Sequence, residues 1–183
     1  MIVRPASAMR AVAVSGCLLL SGCVVPSEQA DLLDLGQTDG SACVYDSESR
    51  IGSFGTTVTN TSDQVIDFQA VGLVEADGLE VAGSAVMRFA SDFDGLGAAH
   101  GWPPTMDALR DSWSERQPVR GFELAPGEKV ELLVGLEAPS GEGSTRALDL
   151  EYTDESGATY RQQNVDRLGV TDGPVSFCED LAD

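Results

Sequence analysis

From Ser53 to Val165 the chain repeatedly alternates apolar and polar residues with a period of two, and turn clusters cut the alternating runs. That period is the signature of strands with one buried and one wet face. The clearest run sets Val130, Leu132, Val134 and Leu136 against Glu131, Leu133 and Gly135. A second sets Leu148, Leu150 and Tyr152 against Asp149 and Glu151. Ser53 to Thr59 is rich in β-branched residues and leads into the turn cluster Asn60-Thr61-Ser62-Asp63. In the strand from Val65 to Glu75, the period places Ile66, Phe68, Ala70 and Val74 on one face.

The punctuation between runs is equally specific. Asp77-Gly78 carries the strongest short hairpin signal, so Leu79 to Phe89 is expected to return beside its predecessor, with an interruption near Gly83. Asp154-Glu155-Ser156-Gly157 marks another hairpin, with Thr159 to Val165 as its return strand. Pro126-Gly127 precedes the Val130 run, and Val175 to Cys178 reads as a short closing strand. About seven or eight short strands of this kind specify an all-β antiparallel sandwich, with a small β-barrel as the alternative.

Two stretches carry a resemblance to the immunoglobulin-like domains of bacterial exported lipoproteins. One is Thr56-Thr57-Val58-Thr59-Asn60-Thr61-Ser62-Asp63 with the strand that follows it. The other is Phe122-Glu123-Leu124-Ala125-Pro126-Gly127-Glu128 ahead of an alternating strand. The resemblance covers roughly residues 43–178 and implies an immunoglobulin-like β-sandwich. The tryptophan and inter-sheet disulfide of antibody domains are not matched.

The N-terminus supplies an address. Arg4 and Arg10 precede the apolar run Ala11 to Leu20, which is too short to span a bilayer and fits a secretory signal. The run ends in Leu20-Ser21-Gly22-Cys23, which resembles the lipobox of bacterial lipoproteins. The resemblance implies cleavage before Cys23 and a diacylglycerol on its sulfur. The expected organisation is a signal peptide at 1–22, a flexible tether at 23–42 beginning with lipidated Cys23, and the immunoglobulin-like domain at 43–183. Two acyl chains anchor stably where one binds marginally. The expected location is therefore the cell membrane, lipid-anchored and facing the extracytoplasmic side.

Cysteine use and charge agree with export. Cys17 is lost with the signal and Cys23 takes the lipid, leaving Cys43 and Cys178. An oxidising compartment favours their pairing, expected to join the terminal strands. Chain entropy gives such a long loop a little more than about 4.7 kcal/mol. The 11 basic residues stand against 30 acidic ones, a net charge of −19. That excludes a nucleic-acid partner, which needs clustered basic residues. The 42% hydrophobic content still provides for a folded core.

One segment breaks the rhythm. Ser91 to Gln117 holds both tryptophans, Trp102 and Trp113, and the sole histidine, His100. Thr105 suits a helix N-cap, and Met106, Leu109, Arg110 and Trp113 would share one helical face. Long insertions in compact domains are usually functional or disordered. His100, Trp102, Arg110 and Trp113 are therefore the candidate binding residues. The competing structural reading has Trp102, Met106, Leu109 and Trp113 plugging one end of the sandwich.

Chemistry narrows the rest. With one imidazole and no GxSxG elbow, a serine hydrolase lacks its base and nucleophile. The cysteine and histidine supply does not suit zinc, the loop Asp92-Phe93-Asp94-Gly95 lacks EF-hand spacing, and no cofactor motif occurs. The expectation is a binding module for another exported or envelope protein, or a ligand. The alternatives are a hydrolase working through Asp92, Asp94, Asp107 and Asp111, and a structural accessory subunit of a membrane complex.

Overall fold

The computed structural model describes residues 31–36, 40–88, 95–106 and 112–181. The strands are β1 (Leu33–Asp34), β2 (Ser41–Tyr45), β3 (Ile51–Asn60), β4 (Ile66–Val74), β5 (Glu80–Arg88), β6 (Ala98–His100), β7 (Phe122–Leu124), β8 (Lys129–Glu137), β9 (Glu142–Thr145), β10 (Ala147–Thr153), β11 (Thr159–Gln163) and β12 (Arg167–Thr171). A short 3-10 turn covers Ser112–Glu115, and a single-turn helix, α1, covers Ser176–Asp180.

Strand order identifies the architecture. One sheet runs β1-β3-β8-β5, with β6 also paired to β3, and the other runs β11-β10-β4-β7. Seven of these strands reproduce the constant-type immunoglobulin arrangement, four strands facing three. The sheets are open, so the chain is an immunoglobulin-like β-sandwich and not a closed barrel. A third sheet, β2-β12-β9, caps the sandwich, and within it β2 and β12 are parallel.

The alternating runs build the core as the period requires. Val130, Leu132, Val134 and Leu136 of β8 face Leu148, Leu150 and Tyr152 of β10 across one buried cluster. Tyr152 is fully buried, and burial pushes its phenol up to about 12. Its hydroxyl donates to Gln162 Oε1 at 3.2 Å. Gln162 in turn donates to the Leu33 carbonyl and accepts from the Leu33 amide, so a side chain imitates a strand and ties β1 to β11. The turn after β3 is held by Asn60, which is 1% exposed. Its amide nitrogen donates to the carbonyls of Gln64 and Leu124, and its oxygen accepts from Ser62.

Several local expectations are corrected. The Asp77-Gly78 turn does not close a hairpin. β4 lies in one sheet and β5 in the other, paired with β8, so the link crosses the sandwich. Gly78 still takes the left-handed conformation the turn demands, at φ +67°. In β4 a bulge shifts the register where Phe68 and Ala70 meet Tyr152 and Glu151. The extra residue, Gln69, reverses the facing pattern. Phe68, Val71 and Leu73 therefore pack on the core, and Ala70 is exposed.

At the C-terminus, the expected strand at Val175–Cys178 is helical, and the closing strand is β12, upstream of it. Cys43 on β2 is bonded to Cys178 on α1, 135 residues apart. The bridge therefore joins a strand to a helix. Packed structure also begins inside the segment expected as a tether, since Leu33 and Leu35 are buried in the core.

Candidate functional site

The described parts of the insertion, 95–106 and 112–117, form a strap across the outer face of the β3-β8-β5 sheet. Its first anchor is β6, which pairs with β3 through Ala98, Ala99 and His100. The Ser53 hydroxyl, fully buried, donates to the Gly101 carbonyl. Gln117 closes the strap by exchanging backbone hydrogen bonds with Val86 on β5, at 2.8 and 2.9 Å.

Beneath the strap the sheet is hollowed by glycine. Gly83 on β5 sits directly opposite Gly135 on β8. A Cβ on either would overlap the Trp102 indole, whose ring occupies the space that two side chains would fill. Gly55 on β3 leaves room in the same way for Glu131 and Leu96. Glycine inside a strand marks close approach of another group, so the interruption near Gly83 carried this signal in the sequence. Trp113 meets Trp102 edge-on, with centroids 5.3 Å apart and an interplanar angle of 86°. Both rings pack on a small second cluster of Met87, Leu96, Ala99 and Leu133.

Glu131 is the electrostatic peculiarity of this face. It is 2% exposed. Oε1 accepts a hydrogen bond from the Leu96 amide, and Oε2 has no hydrogen-bond partner among the described residues. Burial raises its pKa above the ordinary carboxylate value, and the Leu96 bond offsets only part of that rise.

The candidate residues therefore separate. Trp102 and Trp113 come together, but over the sheet face and not at an end of the sandwich. His100 is exposed on the strap's rim, with Nδ1 3.8 Å from Asp46 Oδ2. Burial works to raise the pKa of Asp46, but hydrogen bonds from Ser49 and the Glu48 amide outweigh it and hold the carboxyl below its usual value. Met106 is also exposed on this rim. Arg116, marked by no sequence signal, lays its guanidinium 4.9 Å from the centre of the Trp113 ring. The expected helix is absent at its described ends: Thr105 and Met106 are irregular, and Trp113 lies in the 3-10 turn. Arg110 and Leu109, and the hydrolase candidates Asp92, Asp94, Asp107 and Asp111, lie outside the described residues.

A cavity of about 140 Å³ opens between β2, β3 and β12, with Ser41, Phe54, Thr56 and Asp166 in its walls. It is smaller than the roughly 300–1,000 Å³ that encloses a small organic ligand. Among the described residues no helix is long and apolar enough to cross a membrane.

No protein-family model matches the chain, and no curated protein sequence matches it. Among solved structures, it is similar to the ASH/PapD-like domain 7 of human CEP192 at 8% identity and a TM-score of 0.41, covering 85% of this chain and 97% of that one. It is also similar to the VesB protease of Vibrio cholerae at 13% identity and a TM-score of 0.38, covering 75% of this chain but only 32% of that one.

Proposed function

We propose that the chain is a lipid-anchored extracytoplasmic binding module whose strap presents a preorganised surface to another exported or envelope protein. The observation that carries this reading is the strap's fixation. The described strap segments, seated in a glycine-floored slot, held by Gly101 and Leu96 and closed at Gln117, lose little freedom when they meet a partner. In this reading the tryptophans position the surface, and His100, Met106 and Arg116 on its rim make the contacts.

Anchoring rests on the Leu20-Ser21-Gly22-Cys23 sequence. With β1 beginning at Leu33, about ten residues separate the lipid from the domain, a reach of at most roughly 35 Å. The acidic excess, which rises to −21 once Arg4 and Arg10 are removed, keeps the domain solvated above an anionic surface.

Two variants test the two halves. Cys23→Ser should move the protein from the membrane fraction to the soluble exported fraction, and retention in the membrane refutes anchoring. A His100→Ala, Met106→Ser, Arg116→Ala triple variant should unfold like the parent yet lose the partner that the anchored protein recovers on affinity purification. Undiminished recovery refutes the strap as the binding surface.

A further inference from the structure

An open sandwich has two lateral sides where sheet edges face solvent. On one, the Gln162 bonds to Leu33 tie β11 to β1. The other, between β4 and β5, is closed only along part of its length. There Gln117 bridges Val86, and β7 pairs with Ile66–Phe68. Beyond that point, among the described residues, β4 pairs only with β10, and β5 from Glu80 to Ala85 pairs only with β8.

The direction of the free backbone groups follows from a neighbour. Leu148 on β10 receives a bond from the Asn164 amide at its carbonyl and donates its own amide to Asn164 Oδ1, so both groups point away from β4. In an antiparallel pair the opposite residue behaves likewise. Leu73, opposite Leu148, therefore aims its N–H and C=O away from β10, and Val71 does the same two residues earlier. Their side chains turn inward but stay only partly buried, and Val81 on the facing lip is 41% exposed. The stretch Ala70-Val71-Gly72-Leu73-Val74 contains no charge and no proline, the usual devices that protect an edge.

Charge states what fits. Ile66 to Met87 contains no Lys or Arg, and Glu75, Asp77 and Glu80 are exposed around the opening. Glu75 is paired with Arg146, and among the described residues no ion pair engages Asp77 or Glu80. We infer that the β4 edge from Ala70 to Val74 accepts an extended, basic segment of a partner protein as an added strand. Backbone bonds to Val71 and Leu73 supply the pairing. Apolar side chains cover Val71, Leu73 and Val81, and Lys or Arg residues at the end of the segment beside the β4–β5 link meet the acidic group of Asp77 and Glu80 at the mouth of the opening.

The probe is a synthetic ten-residue peptide of alternating Val and Lys, added to the full chain and read by amide hydrogen exchange. In the free chain Val71 and Leu73 should exchange at least tenfold faster than Gly72, whose amide faces β10. The peptide should slow Val71 and Leu73 at least tenfold, and high salt should weaken the effect. N-methylation of the valines, which must face β4, should abolish protection, whereas N-methylation of the lysines should not. Equal binding of the two methylated peptides overturns the inference, as does protection of Val71 and Leu73 in the free chain. Protection that grows with protein concentration alone would assign the edge to a second copy and equally overturn the basic partner.

Discussion

Replacing Gly135 by alanine adds one methyl group to the floor of the strap, and the structure sets its cost. The new Cβ would lie 2.6 Å from Trp102 Cδ2, 2.7 Å from Cε3 and 2.8 Å from Cγ, distances that real carbon atoms do not sustain. The residue's φ is not left-handed, so alanine meets no backbone penalty and the whole effect falls on the ring. Forcing the contact costs about 1–3 kcal/mol by overpacking. Releasing the indole instead exposes on the order of 100 Å² of apolar surface, about 2.5 kcal/mol, besides its edge-on contact with Trp113. Either route gives a loss near 2 kcal/mol, or about 4–8 °C in melting temperature for a domain of this size. The decisive measurement is a double-mutant cycle by urea unfolding followed by far-ultraviolet circular dichroism. In a Trp102→Ala background the slot is empty, and Gly135→Ala should become neutral or slightly stabilising, because alanine restricts the unfolded chain. The coupling should be about 2 kcal/mol. An equal loss in both backgrounds would show that Trp102 does not occupy the glycine floor.

Two further perturbations follow from buried chemistry. Glu131 has a folded pKa raised by burial, so its contribution to stability is full below the unfolded value and is lost as pH rises through the folded one. Glu131→Gln keeps an acceptor for the Leu96 amide and should flatten the decline in stability as pH rises above the ordinary carboxylate range; an unchanged profile would mean that the carboxyl is solvated. Reducing the Cys43–Cys178 bridge releases a constraint worth about 5 kcal/mol on the chain-entropy account and should lower the melting temperature. Mass spectrometry of the protein purified without reductant should find no free thiol at either position.

Much of the sandwich is legible in the sequence. The runs that became β8 and the β10–β11 hairpin are marked by period two and by Asp154–Gly157, and the β3 run by its β-branched residues, because a half-buried strand writes its environment directly into its side chains. β2 and β12 were harder to see. They are five residues each, lie in the small parallel-paired cap, and carry too few alternations to register. The candidate site was legible only as an irregularity. Two tryptophans in a long insertion, and glycines inside strands, were visible separately. Nothing local said that Gly83 and Gly135 would meet across β5 and β8 to receive Trp102.

Local sequence set the secondary-structure type and the composition of the core strands, and it marked Cys43 and Cys178 as a pair. These follow from local periodicity, from residue chemistry and from the supply of each residue type. Tertiary structure alone decided which sheet β5 joined after an Asp-Gly turn, because a turn fixes chain reversal and not the partner that the next strand meets. It also decided which β4 residues face inward, since a one-residue bulge inverts the alternation without any mark of its own. And it made Val175–Cys178 a helix end instead of a strand, where the bond to Cys43 and packing on β12 outweigh the β preference of valine and phenylalanine.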